Sequence, residues 1–172
     1  MASKSSPISS DFPCAGALVV RDVMTDKPIG VRPTDIMDEV LDVLADYKVF
    51  VVPVVDKRGH CVGVLSVSNL LDLARKYVSD SGEDLGRFAT VHHSALIEQL
   101  RKPEFAAKPV SEFMAAAAPL TVGPDILLRD AADKMVHDHV HHLFVTDTHG
   151  MLLGVISTID ILRGLLRISH EV

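Results

Sequence analysis

Residues 49–66 read VFVVPVVDKRGHCVGVLS and residues 140–157 read VHHLFVTDTHGMLLGVIS. Each stretch opens with a short run rich in apolar and β-branched residues, breaks at a four-residue turn and resumes as a second apolar run. The turns are Asp56-Lys57-Arg58-Gly59 and Asp147-Thr148-His149-Gly150. Asp in first place and Gly in last is the preference of a type I turn, so both stretches predict a β-hairpin. Laid over one another at an offset of about ninety positions, they belong to a longer internal repeat. Met24 falls on Met114, Pro33 on Pro124, and Gly63-Val64-Leu65-Ser66 on Gly154-Val155-Ile156-Ser157.

Upstream of each hairpin the repeat predicts a short extended piece, residues 30–32 and 120–123, and then a helix. Thr34 or Asp35 is the expected cap of the first helix and Asp125 of the second. Ile36, Val40, Val43, Leu44 and Tyr47 recur at helical spacing in the first copy. Leu128, Ala131, Ala132 and Met135 do so in the second. Downstream of the hairpins, amphipathic helices are expected over 69–77 and 160–167. The unit is therefore β-α-β-β-α and the class α/β, more fully α+β. A single copy would leave its sheet and helix faces bare. Two copies can cover each other, which predicts a pseudo-twofold pair with a cleft where they meet. The expected layout is a flexible tail over 1–17, a first repeat over 18–78, a linker over 79–108 and a second repeat over 109–170. The linker carries an expected short helix over 94–101, ended by Pro103.

Composition narrows the function. The 172 residues carry a formal charge of −6, which argues against a nucleic-acid partner, because phosphate binding wants a basic face. No apolar run is long enough to cross a membrane. Cys14 and Cys61 provide no disulfide framework and predict an intracellular, reducing compartment, either the cytoplasm or an organelle interior. The Ser-, Ala- and Pro-rich start predicts a disordered tail; a remnant transit peptide is the alternative, although the stretch lacks Arg. No P-loop, GxGxxG or metalloprotease helix occurs, and the expectation is a protein that is not an enzyme. Met24, Met37, Met114 and Met135 are expected as core filler, and Cys61 as a buried thiol.

The run Gly154-Val155-Ile156-Ser157-Thr158-Ile159-Asp160 joins the last strand to the last helix of the second copy. Its counterpart is Gly63-Val64-Leu65-Ser66-Val67-Ser68-Asn69, with Asn in place of the acid. Together with Asp22-Val23-Met24-Thr25 and Val52-Pro53-Val54-Val55-Asp56, these runs resemble the tandem cystathionine β-synthase (CBS) domain pair, or Bateman module. The resemblance spans about residues 19–169 and looks most like the stand-alone pairs of plants and microbes. It implies a regulatory, energy-sensing module that binds AMP, ADP or ATP, acts on an unidentified partner protein and forms a homodimer through its helices.

The resemblance also implies sites built crosswise, with acid and hydroxyl from one copy and the adenine slot from the other. The main site would join Ser157, Thr158 and Asp160 to Ile29, Val49, Phe50 and Val51. The weaker site would join Ser66 and Asn69 to Leu120, Thr121, Val140, His141 and His142. A helix N-terminus offers N–H groups and a positive dipole end to a phosphate. A carboxylate can accept both ribose hydroxyls, whereas Asn does so without charge assistance. A neutral His is a poorer anion ligand than Arg. Phe50 either stacks on the base or fills the slot.

Other readings stand beside this one. Ser-x-x-Asp at a helix start is also the pattern of a capping box. Asn69 and the bulk of Phe50 fit a ligand-free interaction and dimerisation scaffold. The run His137-Asp138-His139-Val140-His141-His142 could place alternate histidines on one strand face as a metal sensor, the least favoured reading, and no metal site is assigned.

Overall fold

The repeat is expressed as two hairpin units of matching register whose opening segments have changed places. The computed structural model describes residues 18–67, 69–70, 101, 103–115 and 118–170. In chain order these form a 3-10 turn (Val20–Asp22), β1 (Thr25–Asp26), α1 (Met37–Asp46), β2 (Val51–Val55) and β3 (Cys61–Ser66). A single helical turn (Pro103–Ala106) and a second 3-10 turn (Val110–Glu112) lead into the second copy. There follow β4 (Thr121–Val122), α2 (Leu128–His137), β5 (His142–Thr146), β6 (Leu152–Ser157) and α3 (Thr158–His170). The closing helix expected over 69–77 and the linker helix expected over 94–101 fall largely outside the described residues, as do the tail and Cys14.

Both predicted hairpins form. β2 pairs antiparallel with β3, Val51 opposite Ser66, and β5 with β6, His142 opposite Ser157. The register slips at equivalent places, Val54/Val55 and Val145/Thr146. In each turn the closing Gly N–H returns to the Asp carbonyl, at 3.0 Å for Gly59 and 3.1 Å for Gly150. The glycines sit at φ +88° and +82°, a conformation that side chains rarely adopt. The Asp56 carboxylate accepts the N–H groups of Arg58 (2.7 Å) and His60 (2.9 Å) and the His60 ring nitrogen (3.0 Å). Asp147 accepts the N–H groups of His149 (2.8 Å) and Met151 (2.9 Å) in the same way. Each hairpin gains a parallel neighbour from the extended piece before its helix: Val31 bridges Val54, and β4 pairs with β5.

The opening segments cross. β1, from the first copy, pairs with β6 of the second, Thr25 opposite Val155. Val20, completely buried, lies in the second core with Val122, Leu128, Met135, Leu143 and Ile156. Reciprocally, Val110 and Phe113 lie in the first core with Met37, Val40, Leu41, Leu44, Val52 and Leu65. The hydrogen bonds repeat under the exchange. Val20 N–H donates to the Ile126 carbonyl (3.0 Å) and Val110 N–H to that of Asp35 (2.9 Å). Arg21 donates to Pro124 and Ser111 to Pro33, both at 2.9 Å. The hairpin tips are also joined reciprocally: Leu152 N–H to the Gly59 carbonyl (3.0 Å) and Cys61 N–H to that of Gly150 (3.2 Å).

This exchange corrects two sequence expectations. Thr34, Asp35 and Asp125 do not cap the helices, whose N-cap positions are the apolar Ile36 and Leu127. The first helical N–H groups donate instead to the crossing segments, Met37 to the Lys108 carbonyl (2.9 Å) and Leu128 to that of Leu18 (2.8 Å). A carbonyl from across the repeat satisfies the orphan donor that a side-chain oxygen ordinarily takes. Asp35 accepts Arg32 N–H instead (2.7 Å), and Asp125 pairs with Arg21. The apolar stripe of α1 is also rotated from the expected one. It buries Met37, Val40, Leu41 and Leu44, leaving Ile36 and Tyr47 exposed. The stripe of α2 falls as expected on Leu128, Ala131 and Met135.

Two outcomes test this architecture. Val20→Ala removes a buried side chain of the second core and should cost about 2 kcal/mol in urea unfolding. Its hydrogen-exchange signature should appear over 142–157, not over 51–66; the reverse would show that the arm stays with its own repeat. The Asp56 carboxyl is held down to about 2, chiefly by the His60 side chain and then by backbone N–H groups. A depressed carboxyl contributes stability that is present above its unfolded value of 3.8 and lost as pH falls through about 2. Asp56→Asn should therefore flatten the acid limb of the stability profile between those values, read as the urea midpoint against pH.

Candidate functional site

The site grows from the point where the second hairpin strand becomes a helix. β6 ends at Ser157 and α3 begins at the next residue, with no loop between them. The Ser157 N–H (2.9 Å) and hydroxyl (2.7 Å) both donate to Asp160 Oδ2, and the Asp160 N–H returns to Ser157 Oγ (3.3 Å). This is the capping box that the spacing allows. Asp160 Oδ1 lies 3.4 Å from Nη1 of the exposed Arg163, a contact worth little in solvent. The first copy repeats the motif. Asn69 N–H donates to Ser66 Oγ (3.1 Å), and the Ser66 hydroxyl bonds to Asn69 Oδ1. The two motifs thus share the hydroxyl bond and the returning N–H bond and differ in charge.

The first residue of each helix is fastened to the residue just before the hairpin. Thr158 N–H donates to the His141 carbonyl (3.0 Å), and Val67 N–H to that of Phe50 (2.9 Å). Within the second repeat, Ser157, Thr158 and Asp160 therefore neighbour His141 and His142. Within the first, Ser66 and Val67 neighbour Phe50 and Val51. These are same-repeat adjacencies, which capping and sheet register alone produce. Of the remaining slot residues, Ile29 is exposed, Val49 is half-buried against the first core, and Leu120 and Val140 are half-buried against the second. Thr121 is exposed in β4. Phe50 is 57% exposed, so its ring does not fill the interior of its own repeat.

Burial holds the half-buried His142 imidazole below the usual histidine range; His141 adds to the lowering and the Asp160 carboxylate opposes it. A neutral His142 at pH 7 offers one N–H to an anion and no charge. The alternation of histidines along a strand that the least favoured reading required does not form. His137 ends α2, His139 sits at φ 54° beyond it, and β5 starts only at His142. Among the described residues, no three His, Cys, Asp or Glu side chains converge as metal ligands. Cys61 is half-buried, less enclosed than expected, and burial still pushes its thiol up. The joined tips of His60 and Met151 were not legible, because a bridge between two turns leaves no periodicity to read.

Residues 20–76 and 110–167 each match the CBS domain family, and the chain belongs to that family with two copies of the domain. It is 31% identical over 171 residues to the chloroplastic CBS domain-containing protein CBSX1 of Arabidopsis thaliana, covering 95% of this chain and 70% of that one. The crystal structure of the CBS-pair protein CBSX2 from the same plant superposes with a TM-score of 0.68 at 26% identity, covering 90% of this chain and 98% of that one. A crystal structure of CBSX2 in complex with AMP superposes at 0.66 and 27% identity, covering 88% and 98%. The mixed α/β fold and the duplicated domain expected from the sequence are those of a CBS pair. No described helix is long and apolar enough to cross a membrane.

The capping role of Asp160 makes a prediction that needs no ligand. Asp160→Ala leaves the Ser157 N–H and hydroxyl without their acceptor and should lower the stability of the ligand-free protein by about 1 kcal/mol in urea unfolding.

Proposed function

We propose that the chain is a regulatory module that binds an adenosine nucleotide, AMP, ADP or ATP, between its repeats and thereby modulates a partner protein. The observation that carries this reading is the state of the Asp160 carboxylate. Its Oδ2 is fixed by two donors from Ser157, which sets the side-chain rotamer, while Oδ1 faces the exposed Arg163 at 3.4 Å. A carboxylate so held is pre-organised to accept a pair of ribose hydroxyls. Asn69 has its Oδ1 engaged by Ser66, and its remaining amide end is a donor, so it offers a ribose less. The AMP complex of CBSX2 supports the same ligand class.

In this reading Ser157, Thr158 and Asp160 reach across to Ile29, Val49, Phe50 and Val51, with the exposed Phe50 ring available to stack on the base. Ser66 and Asn69, with Leu120, Thr121, Val140, His141 and His142, form the weaker site. A phosphate there would raise the His142 pKa on binding and draw a proton with it. The module regulates rather than catalyses, in an intracellular compartment. A homodimer is part of the proposal: Ile159, Leu162, Leu165 and Leu166 are exposed on α3 and would be covered by a second copy.

Calorimetry with AMP, ADP and ATP tests the proposal. Binding is expected, with Asp160→Ala weakening it by at least about tenfold, the scale of one charge-assisted hydrogen bond. No heat at millimolar nucleotide, or a variant that binds like the native chain, overturns it. The box is also complete without ligand, which favours a ligand-free scaffold as the second reading. That reading predicts a scattering profile and a partner affinity that nucleotide leaves unchanged.

A further inference from the structure

Three contacts between the repeats place a methionine end against a glycine. A Cβ added at Gly154 would lie 2.7 Å from Met24 Sδ, and one at Gly63 would lie 3.1 Å from Met114 Sδ. At Gly59 the added atom would meet Met151 Cε at 3.1 Å and Sδ at 3.7 Å. Met24 belongs to the first copy and packs on the second, whereas Met114 and Met151 belong to the second and pack on the first. All three are half-buried. The other described methionines, Met37 and Met135, are 1% and 3% exposed inside the two cores. The described methionines therefore sort by place: those within reach of solvent lie on the seam, and those out of reach lie in the cores.

We propose that this seam is a site of methionine oxidation, in which hydrogen peroxide or an organic hydroperoxide converts Met24, Met114 and Met151 to sulfoxides in the folded protein and loosens the repeats from one another. The thioether sulfur attacks the terminal peroxide oxygen. An S–O bond forms, the O–O bond breaks, and water, or the alcohol of an organic peroxide, leaves with the proton. Sulfur loses two electrons and the peroxide gains them. A thiol-dependent sulfoxide reductase reverses the step, consuming two thiols and releasing a disulfide and water. The added oxygen makes a flexible apolar contact bulky and polar, where the sulfur already rests on glycine. Met24 adjoins β1, which is held to β6 through Thr25–Val155 and Asp26–Gly154, and β6 ends on Ser157. Met114 lies beside Ala115, whose N–H donates to the Val64 carbonyl of β3 (2.8 Å), the strand that ends on Ser66. Displacing either sulfur pulls on a strand that carries a capping serine.

The test is peroxide treatment of the folded full chain, followed by peptide mass spectrometry and hydrogen exchange. Met24, Met114 and Met151 should oxidise at least about tenfold faster than Met37 and Met135, which require opening of a core. The amides of Cys61 and Leu152, which donate across the seam at the ends of β3 and β6, should then exchange faster, while the other amides of the β2–β3 and β5–β6 ladders keep their protection. Sulfoxide reductase should restore the slow exchange. A Met24→Leu, Met114→Leu, Met151→Leu chain should show no peroxide response at those two amides. Uniform oxidation of the five methionines, or an oxidised chain that exchanges like the untreated one, overturns the proposal. Both of these results come from the native sequence, so the proposal is decided even if the triple variant fails to fold.

Discussion

The hydrogen bond from the first turn of each helix to the segment that opens the other repeat is the interaction on which the rest depends. Met37 N–H needs the Lys108 carbonyl, and Leu128 N–H needs that of Leu18. A buried orphan donor at a helix start costs about 1–3 kcal/mol, so neither helix is content within its own repeat. The same crossing closes both cores, because Val20 and Val110 are completely buried in the repeat to which they do not belong by sequence. Packing and hydrogen bonding thus make one cooperative body from two copies. The tips, where Gly59 and Gly150 each accept an N–H from the other side, tie the body at a second point.

That arrangement decides how a site at the start of α3 is supported. β6, which ends on Ser157, has β5 on one side and the crossing β1 on the other. The serine that fixes the Asp160 rotamer therefore stands on a strand shared between the two copies. The first copy offers the same support to Ser66 through Ala115. With the scaffold repeated, the difference between the two box ends reduces to a carboxylate in one and an amide in the other. Symmetric support with unequal chemistry leaves the two strand-to-helix junctions alike in scaffold and different in charge.

Local patterning carried much of the fold into view. The hairpins, their Asp-to-Gly turns and the α2 stripe follow from alternation, turn chemistry and helical period, all properties of adjacent residues. The caps did not, because their acceptors are carbonyls far away in the chain, and main-chain oxygens leave no trace in composition. For the same reason helical spacing alone points slightly off the true face of α1: Phe113, supplied by the other copy, joins the core that defines that face, while Tyr47 lies outside it. At the site, the Ser157–Asp160 box was legible from spacing, and the Asn69 difference was explicit in the repeat. The half-burial of His142 and the exposure of Phe50 depend on how sheet edges lie in space, which a one-dimensional pattern does not record.

The reciprocal arms have a consequence for ancestry. A lone repeat carrying the same opening segment would have an arm with nowhere at home to dock and a core waiting for someone else's arm. Two such chains would satisfy each other by trading arms, as in a domain-swapped dimer. Gene fusion would then need only to join the end of one chain to the start of the next, through a segment under no pressure to change either contact. The sequence between the two matched domains, residues 77–109, stands at that joining position, so the tandem chain has the form of an arm-exchanged dimer with its two subunits joined end to end.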